Sequence, residues 1–118
     1  MEQKLFDSEL RLMELLWVKG SCTAKELSLL AAEEIGWNKN TTYTVIKKLV
    51  DKGVIARSEP GFVCTPLLSR KQAQAAETQS LVQRLFRGSK KALFSSLLED
   101  EDLSQEDLEA LKKMIESR

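Results

Sequence analysis

Apolar residues recur at helical spacing over residues 8–18, where Leu10, Met13 and Trp17 form one stripe and Leu12, Leu15 and Leu16 widen it. Asp7 or Ser8 can cap this segment and Gly20 lies just past its end, so the pattern predicts a core helix. A second helix is predicted over 23–35. Thr23 and Glu26 form a capping box there, each side chain satisfying the other residue's backbone N–H, and Leu27, Leu30, Ala31 and Ile35 carry the stripe to Gly36. Gly36, Trp37 and Asn38 read as a turn, and Asn38 is a good cap for a third helix over 39–52, closed by Gly53. Val45, Ile46, Leu49 and Val50 give that helix an apolar face, while Asn40, Tyr43, Thr44 and Lys47 fall on another.

The period then changes. Residues 54–58 and 62–65 have strand composition and flank the turn signal Glu59, Pro60, Gly61, which predicts a β-hairpin. Three helices followed at once by a hairpin make a winged helix. Beyond Pro66 the chain is more polar. A helix over 69–87 carries Ala73, Ala76, Leu81, Leu85 and Phe86, and Gly88 and Ser89 interrupt it. A short helix over 90–98 carries Leu93, Phe94, Leu97 and Leu98. Ser104 and Asp107 open a last helix as a capping box, with Leu108, Leu111, Met114 and Ile115 on its stripe. The expected fold class is mainly α with a small β-hairpin: a winged-helix domain over 1–68 and a helical domain over 69–118.

Composition narrows the function. Hydrophobic residues make up 42% of the chain and charged residues 31%, which suits a globular protein. No stretch approaches the roughly 20 apolar residues that span a bilayer, and the second residue is already charged, so neither membrane insertion nor a secretory signal is expected and the location read is cytoplasmic. Histidine is absent, which removes the commonest metal ligand and general base. Cys22 and Cys64 read as reduced, buried, small apolar residues. With no Gly-rich phosphate loop and no nucleophile–base pair, neither an enzyme nor a metal or other cofactor is expected.

Net charge is zero, from 18 basic and 18 acidic residues, without the basic excess that marks many nucleic-acid binders. The charges are unevenly placed, however. Residues 37–57 carry Lys39, Lys47, Lys48, Lys52 and Arg57 against the single acid Asp51, whereas Glu99, Asp100, Glu101, Asp102, Glu106, Asp107 and Glu109 crowd one later stretch. A DNA major groove about 12 Å wide admits one α-helix. The third helix has the two faces such a helix needs, so Asn40, Thr41, Tyr43, Thr44 and Lys47 are the candidate base-contacting residues. Thr23, Lys25, Lys39, Lys48 and Arg57 are the candidate phosphate contacts. A polar helix face is also what any solvated helix shows, and winged helices also serve as protein-interaction modules without direct DNA binding. Both readings stand on residue type alone. The last third of the chain is too small to close a core by itself, which predicts a homodimer burying Leu85, Phe86, Leu93, Phe94, Leu97, Leu108, Leu111 and Ile115.

Several segments together resemble the penicillinase repressor family, which includes methicillin-resistance and copper-transport repressors. They are Asp7 to Leu10 with Leu16 and Trp17, Gly20 to Ala24, Gly36 to Asn38, and Thr41, Tyr43 and Thr44 followed by Lys47 to Gly53. Thr65 to Ser69 and Leu103, Ser104 and Leu108 complete the set. The resemblance covers nearly the whole chain. It implies a winged-helix N-terminal domain, an entwined helical dimerisation domain, palindromic operators in double-stranded DNA and repression of genes such as those for antibiotic resistance. It also implies a membrane sensor-protease system that relieves repression by cutting the C-terminal domain. Counting back from Leu103 and Ser104, the matching bond joins Ser96 and Leu97, where relatives carry Asn-Phe. Two departures stand out: the wing turn over 58–62 is short, and Cys64 and Thr65 occupy positions where tyrosines are usual. No cysteine follows Cys64, so copper sensing through a C-terminal cysteine cluster is not expected.

Overall fold

The computed structural model describes residues 4–118 as six helices and a three-stranded antiparallel sheet. The chain forms two compact units, one running to Thr78 and one from Gln79 to Arg118, with the boundary inside a helix. No helix among the described residues is long and apolar enough to cross a membrane.

In the first unit, α1 (Asp7–Lys19), α2 (Ala24–Glu34) and α3 (Lys39–Asp51) precede the hairpin strands β2 (Ile55–Ser58) and β3 (Val63–Pro66). Leu12, Met13 and Leu16 of α1, Leu27 and Ala31 of α2, Ile46 and Leu49 of α3, and Val54, Ile55 and Cys64 are essentially fully buried together. Each large apolar side chain so placed contributes about 2 kcal/mol over leaving it in water. The buried face of α1 is rotated from the stripe that hydropathy predicts. Leu12, Met13, Leu16 and also Glu9 lie inward, while Leu10 is exposed and Trp17 half-buried. The cause is polar pairing: Glu9 reaches Lys52, and Trp17 donates its indole N–H to the Leu68 carbonyl at 2.8 Å. The N-cap of α1 is Phe6, not Asp7 or Ser8. The Glu9 carboxylate accepts the Phe6 N–H at 2.8 Å and does the capping from inside the helix.

A third strand, β1 (Cys22–Thr23), was not predicted. It pairs with β3 so that Cys22 faces Cys64 and Thr23 faces Val63, while β2 pairs with the other edge of β3. Both cysteines are buried free thiols, as their reading as small apolar residues required. Burial, and secondarily Glu26, pushes the Cys22 thiol up; burial, with Cys22 beside it, pushes Cys64 up to about 11. Because the thiolate is the reactive form, iodoacetamide at pH 8 should alkylate the folded protein about 10²-fold more slowly than the urea-unfolded chain. Equal rates would show that the sheet edge opens freely. The folded state holds these protons more tightly, so the contribution is complete below the ordinary thiol value of about 8.5 and is lost as pH rises toward 11.

The helix α4 (Arg70–Phe86) begins in the first unit, where Arg70 pairs with Glu14 of α1 at 2.8 Å. The second unit contains the rest of α4, then α5 (Lys90–Leu98) and α6 (Gln105–Glu116). Among its described residues only Val82 is buried. Ser104 caps α6 by accepting the Asp107 N–H at 3.0 Å, but the reciprocal half of the expected capping box is missing, because aspartate is one methylene shorter than the glutamate that motif uses.

Candidate nucleic-acid interface

The α2–α3 corner is built from two caps and a glycine. Thr23 and Glu26 form the expected box, with Thr23 N–H to Glu26 Oε1 at 2.9 Å and Glu26 N–H to Thr23 Oγ1 at 3.1 Å. Gly36 turns the chain at φ 83°, a left-handed conformation that glycine adopts without strain. Asn38 then accepts the Thr41 N–H at 2.8 Å and starts α3. Val45, Ile46 and Leu49 pin α3 to the core, and Thr42 is buried with them, its hydroxyl donating to the Asn38 carbonyl at 3.3 Å.

That anchoring leaves Asn40, Thr41, Thr44, Lys47 and Lys48 exposed along one stripe. Asn38, Asn40, Thr41, Thr44 and Lys48 line a shallow groove with Ser8, two of whose members, Asn38 and Ser8, the residue pattern had not assigned to the site. The Thr44 hydroxyl donates to the Asn40 carbonyl at 2.8 Å, so its methyl and lone pairs are what it offers outward. Tyr43 is half-buried. Its ring meets that of Phe62 edge-on at 6.0 Å, and the Lys39 ammonium lies 5.7 Å from its centre.

The candidate phosphate contacts differ in availability. Lys25, Lys39 and Lys48 are exposed. The Thr23 hydroxyl both donates to and accepts from Glu26. The Thr23 hydrogen bonds, first from its N–H and then from its hydroxyl, hold the Glu26 carboxyl below its ordinary value, so that helix start carries its own anion. Arg57 is bound to Glu59 at 2.6 Å and lies 3.6 Å over the Phe62 ring. Lys52, basic but not among those candidates, is paired with Glu9 at 2.6 Å.

In the second unit, Leu85, Phe94, Leu97 and Ile115 are exposed and Phe86, Leu93, Leu108 and Leu111 half-buried. Ser96 and Leu97 lie within α5, and both are exposed.

The model of the penicillinase repressor family matches residues 5–117. The penicillinase repressor of Bacillus licheniformis is 24% identical over 115 residues, covering 96% of this chain and 90% of that protein. The methicillin resistance regulatory protein MecI of Staphylococcus aureus (strain N315) is 23% identical over 123 aligned positions, covering 100% of both chains. The solution structure of the DNA binding domain of the repressor BlaI superposes with a TM-score of 0.56 at 24% sequence identity, over 61% of this chain and 90% of that one, which establishes the winged-helix fold.

Proposed function

The chain belongs to the penicillinase repressor family, and from that premise we propose that it is a DNA-binding transcriptional repressor, acting as a homodimer on a palindromic operator. The observation that carries this reading is the exposed polar stripe of α3, held rigidly over a fully buried face and rising from a capped helix–turn–helix corner. The names of its relatives support the same reading: penicillinase repressor, methicillin resistance regulatory protein and DNA binding domain of a repressor. Resistance genes are the class of target those names suggest.

In this reading α3 enters the major groove with its N-terminal half foremost. Asn40 offers the amide pair that suits adenine, Lys47 the ammonium that suits guanine, and the methyls of Thr41 and Thr44 fit thymine. Tyr43 supports them through Phe62. Lys25, Lys39 and Lys48 fix the register on phosphate. Two such helices in a symmetric pair read half-sites separated by whole helical turns, roughly 10 bp each. The domains act as a DNA-binding part over 1–68 and a dimerising part over 69–118, and a sensor-protease that opens the Ser96–Leu97 bond would relieve repression by removing α6.

Palindromes selected from a random duplex pool give the test. Lys47→Ala and Thr44→Ala should each weaken the selected site by about 1–3 kcal/mol while changing arbitrary DNA little. Equal loss on both duplexes would place the side chain on phosphate. Failure to enrich any sequence would favour an interaction module without direct DNA binding.

A further inference from the structure

Arg57 and Glu59 are the only charged residues of the hairpin over 55–66, and they neutralise each other. Both side chains are about half exposed, and Glu59 is held at two points. Glu59 is gripped on both carboxylate oxygens: Oε2 accepts the Arg57 Nε–H at 2.6 Å, and Oε1 accepts the Phe62 N–H at 3.2 Å. The Arg57 guanidinium carbon lies 3.6 Å from the centre of the Phe62 ring, and Phe62 leans edge-on against Tyr43 of α3. Phe62 stands in the left-handed region at φ 51°, where a bulky side chain is rare, and its carbonyl accepts the Ala24 N–H at 2.9 Å at the start of α2. One aromatic residue thus touches α2, α3 and the wing, and the arginine lies over it beside its own acid.

Resting on the DNA-binding reading above, we infer that Glu59 limits sequence-independent affinity: it withholds Arg57 from phosphate, so that the wing adds no backbone contact. A lone arginine beside the groove would bind any backbone, and such contacts raise non-specific and specific binding alike. The Arg57 hydrogen bond, and next the Phe62 N–H, keep the Glu59 carboxyl below its ordinary value, which favours its charged form. The short wing is then a strut that positions α3, and its one cation is silent until Glu59 is removed.

The test uses the full chain and a short duplex of arbitrary sequence. Glu59→Gln should tighten binding about three- to tenfold at low salt and steepen the dependence of log affinity on log salt by about 0.9 per wing, the signature of one added phosphate contact. In an Arg57→Ala background the same substitution should change neither quantity. An unchanged salt slope in Glu59→Gln overturns the inference. So does a gain that persists without Arg57, since Glu59 would then be only a negative charge near DNA. Thermal melts of the variants confirm that the wing is still folded. If the unaltered protein binds no duplex of any sequence, the DNA-binding reading itself fails and takes this inference with it.

Discussion

Ending the chain at Ser96 is expected to lower affinity for a palindromic duplex about 10²–10⁴-fold, while the first unit melts as it does in the full chain. The second unit, about 40 residues from Gln79 onward, lies at the size where a chain rarely closes a core without disulfides, metal or a partner. Its own composition makes the point. Only Val82 is buried among its described residues, while Leu85, Phe94, Leu97 and Ile115 face outward and the remaining stripe residues are half-covered. In the proposed homodimer a second copy would supply the missing cover at no cost in new sequence. Ending at Ser96 deletes Leu97, Leu108, Leu111 and Ile115, half of the eight residues assigned to that contact. The winged helix keeps its core, because Leu12, Leu27, Ile46 and Leu49 pack within the first unit. What is lost is the linkage of two reading heads, and with it the effective concentration of the second head once the first has bound. Sedimentation should show a dimer for the full chain and a monomer for residues 1–96, both at micromolar concentration. If the shortened chain holds the palindrome as tightly as the whole one, dimer weakening is not how a cut at this bond would act.

The elements that could be read from the sequence are those whose determinants are local. Thr23 and Asn38 announce the starts of α2 and α3 by their position before a helical stripe, and Glu59, Pro60 and Gly61 announce the hairpin; all three signals lie within a few residues of what they specify. The polar stripe of α3 was legible for the same reason. Three features were not. The strand β1 is two residues long, too short to show alternation, and exists only because β3 offers an edge. Thr42, which residue type assigns to neither face of α3, is buried, with its hydroxyl donating to the Asn38 carbonyl. The orientation of α1 escapes hydropathy because Glu9 counts as polar in any such pattern, and its partner lies 43 residues away.

Replacing Lys52 by methionine is expected to destabilise the first unit by about 3 kcal/mol, a loss of about 15 °C in melting temperature for a domain of this size. The Glu9 carboxylate is 1% exposed, with Oε1 accepting both the Lys52 ammonium at 2.6 Å and the Phe6 N–H at 2.8 Å. Among the described residues its other oxygen, Oε2, is buried with no hydrogen-bond partner, so Lys52 supplies the only positive charge compensating that site. Lys52 itself is anchored by the Lys4 carbonyl at 3.0 Å and lies 4.4 Å from the Phe6 ring. Both helix ends favour the arrangement: Glu9 sits in the first turn of α1 and Lys52 caps the C-terminus of α3, where the backbone dipoles attract those signs. Taking away the ammonium leaves a carboxylate in the interior, and that uncompensated charge is the main part of the expected loss, since methionine preserves most of the side chain's volume. Lys52 is 27% exposed, which keeps the figure at the low end of what breaking a buried pair costs. The companion experiment separates charge from packing. Glu9→Leu combined with Lys52→Met removes both charges, and it should recover most of the stability, because apolar replacements of buried pairs are commonly neutral. A Lys52→Met protein within about 0.5 kcal/mol of the parent would mean that the pair behaves like an exposed one and that α3 is held on α1 by its apolar face alone. Should the double variant prove as unstable as the single, the hydrogen bond from Phe6 to Glu9, rather than the ion pair, is what fixes the start of α1.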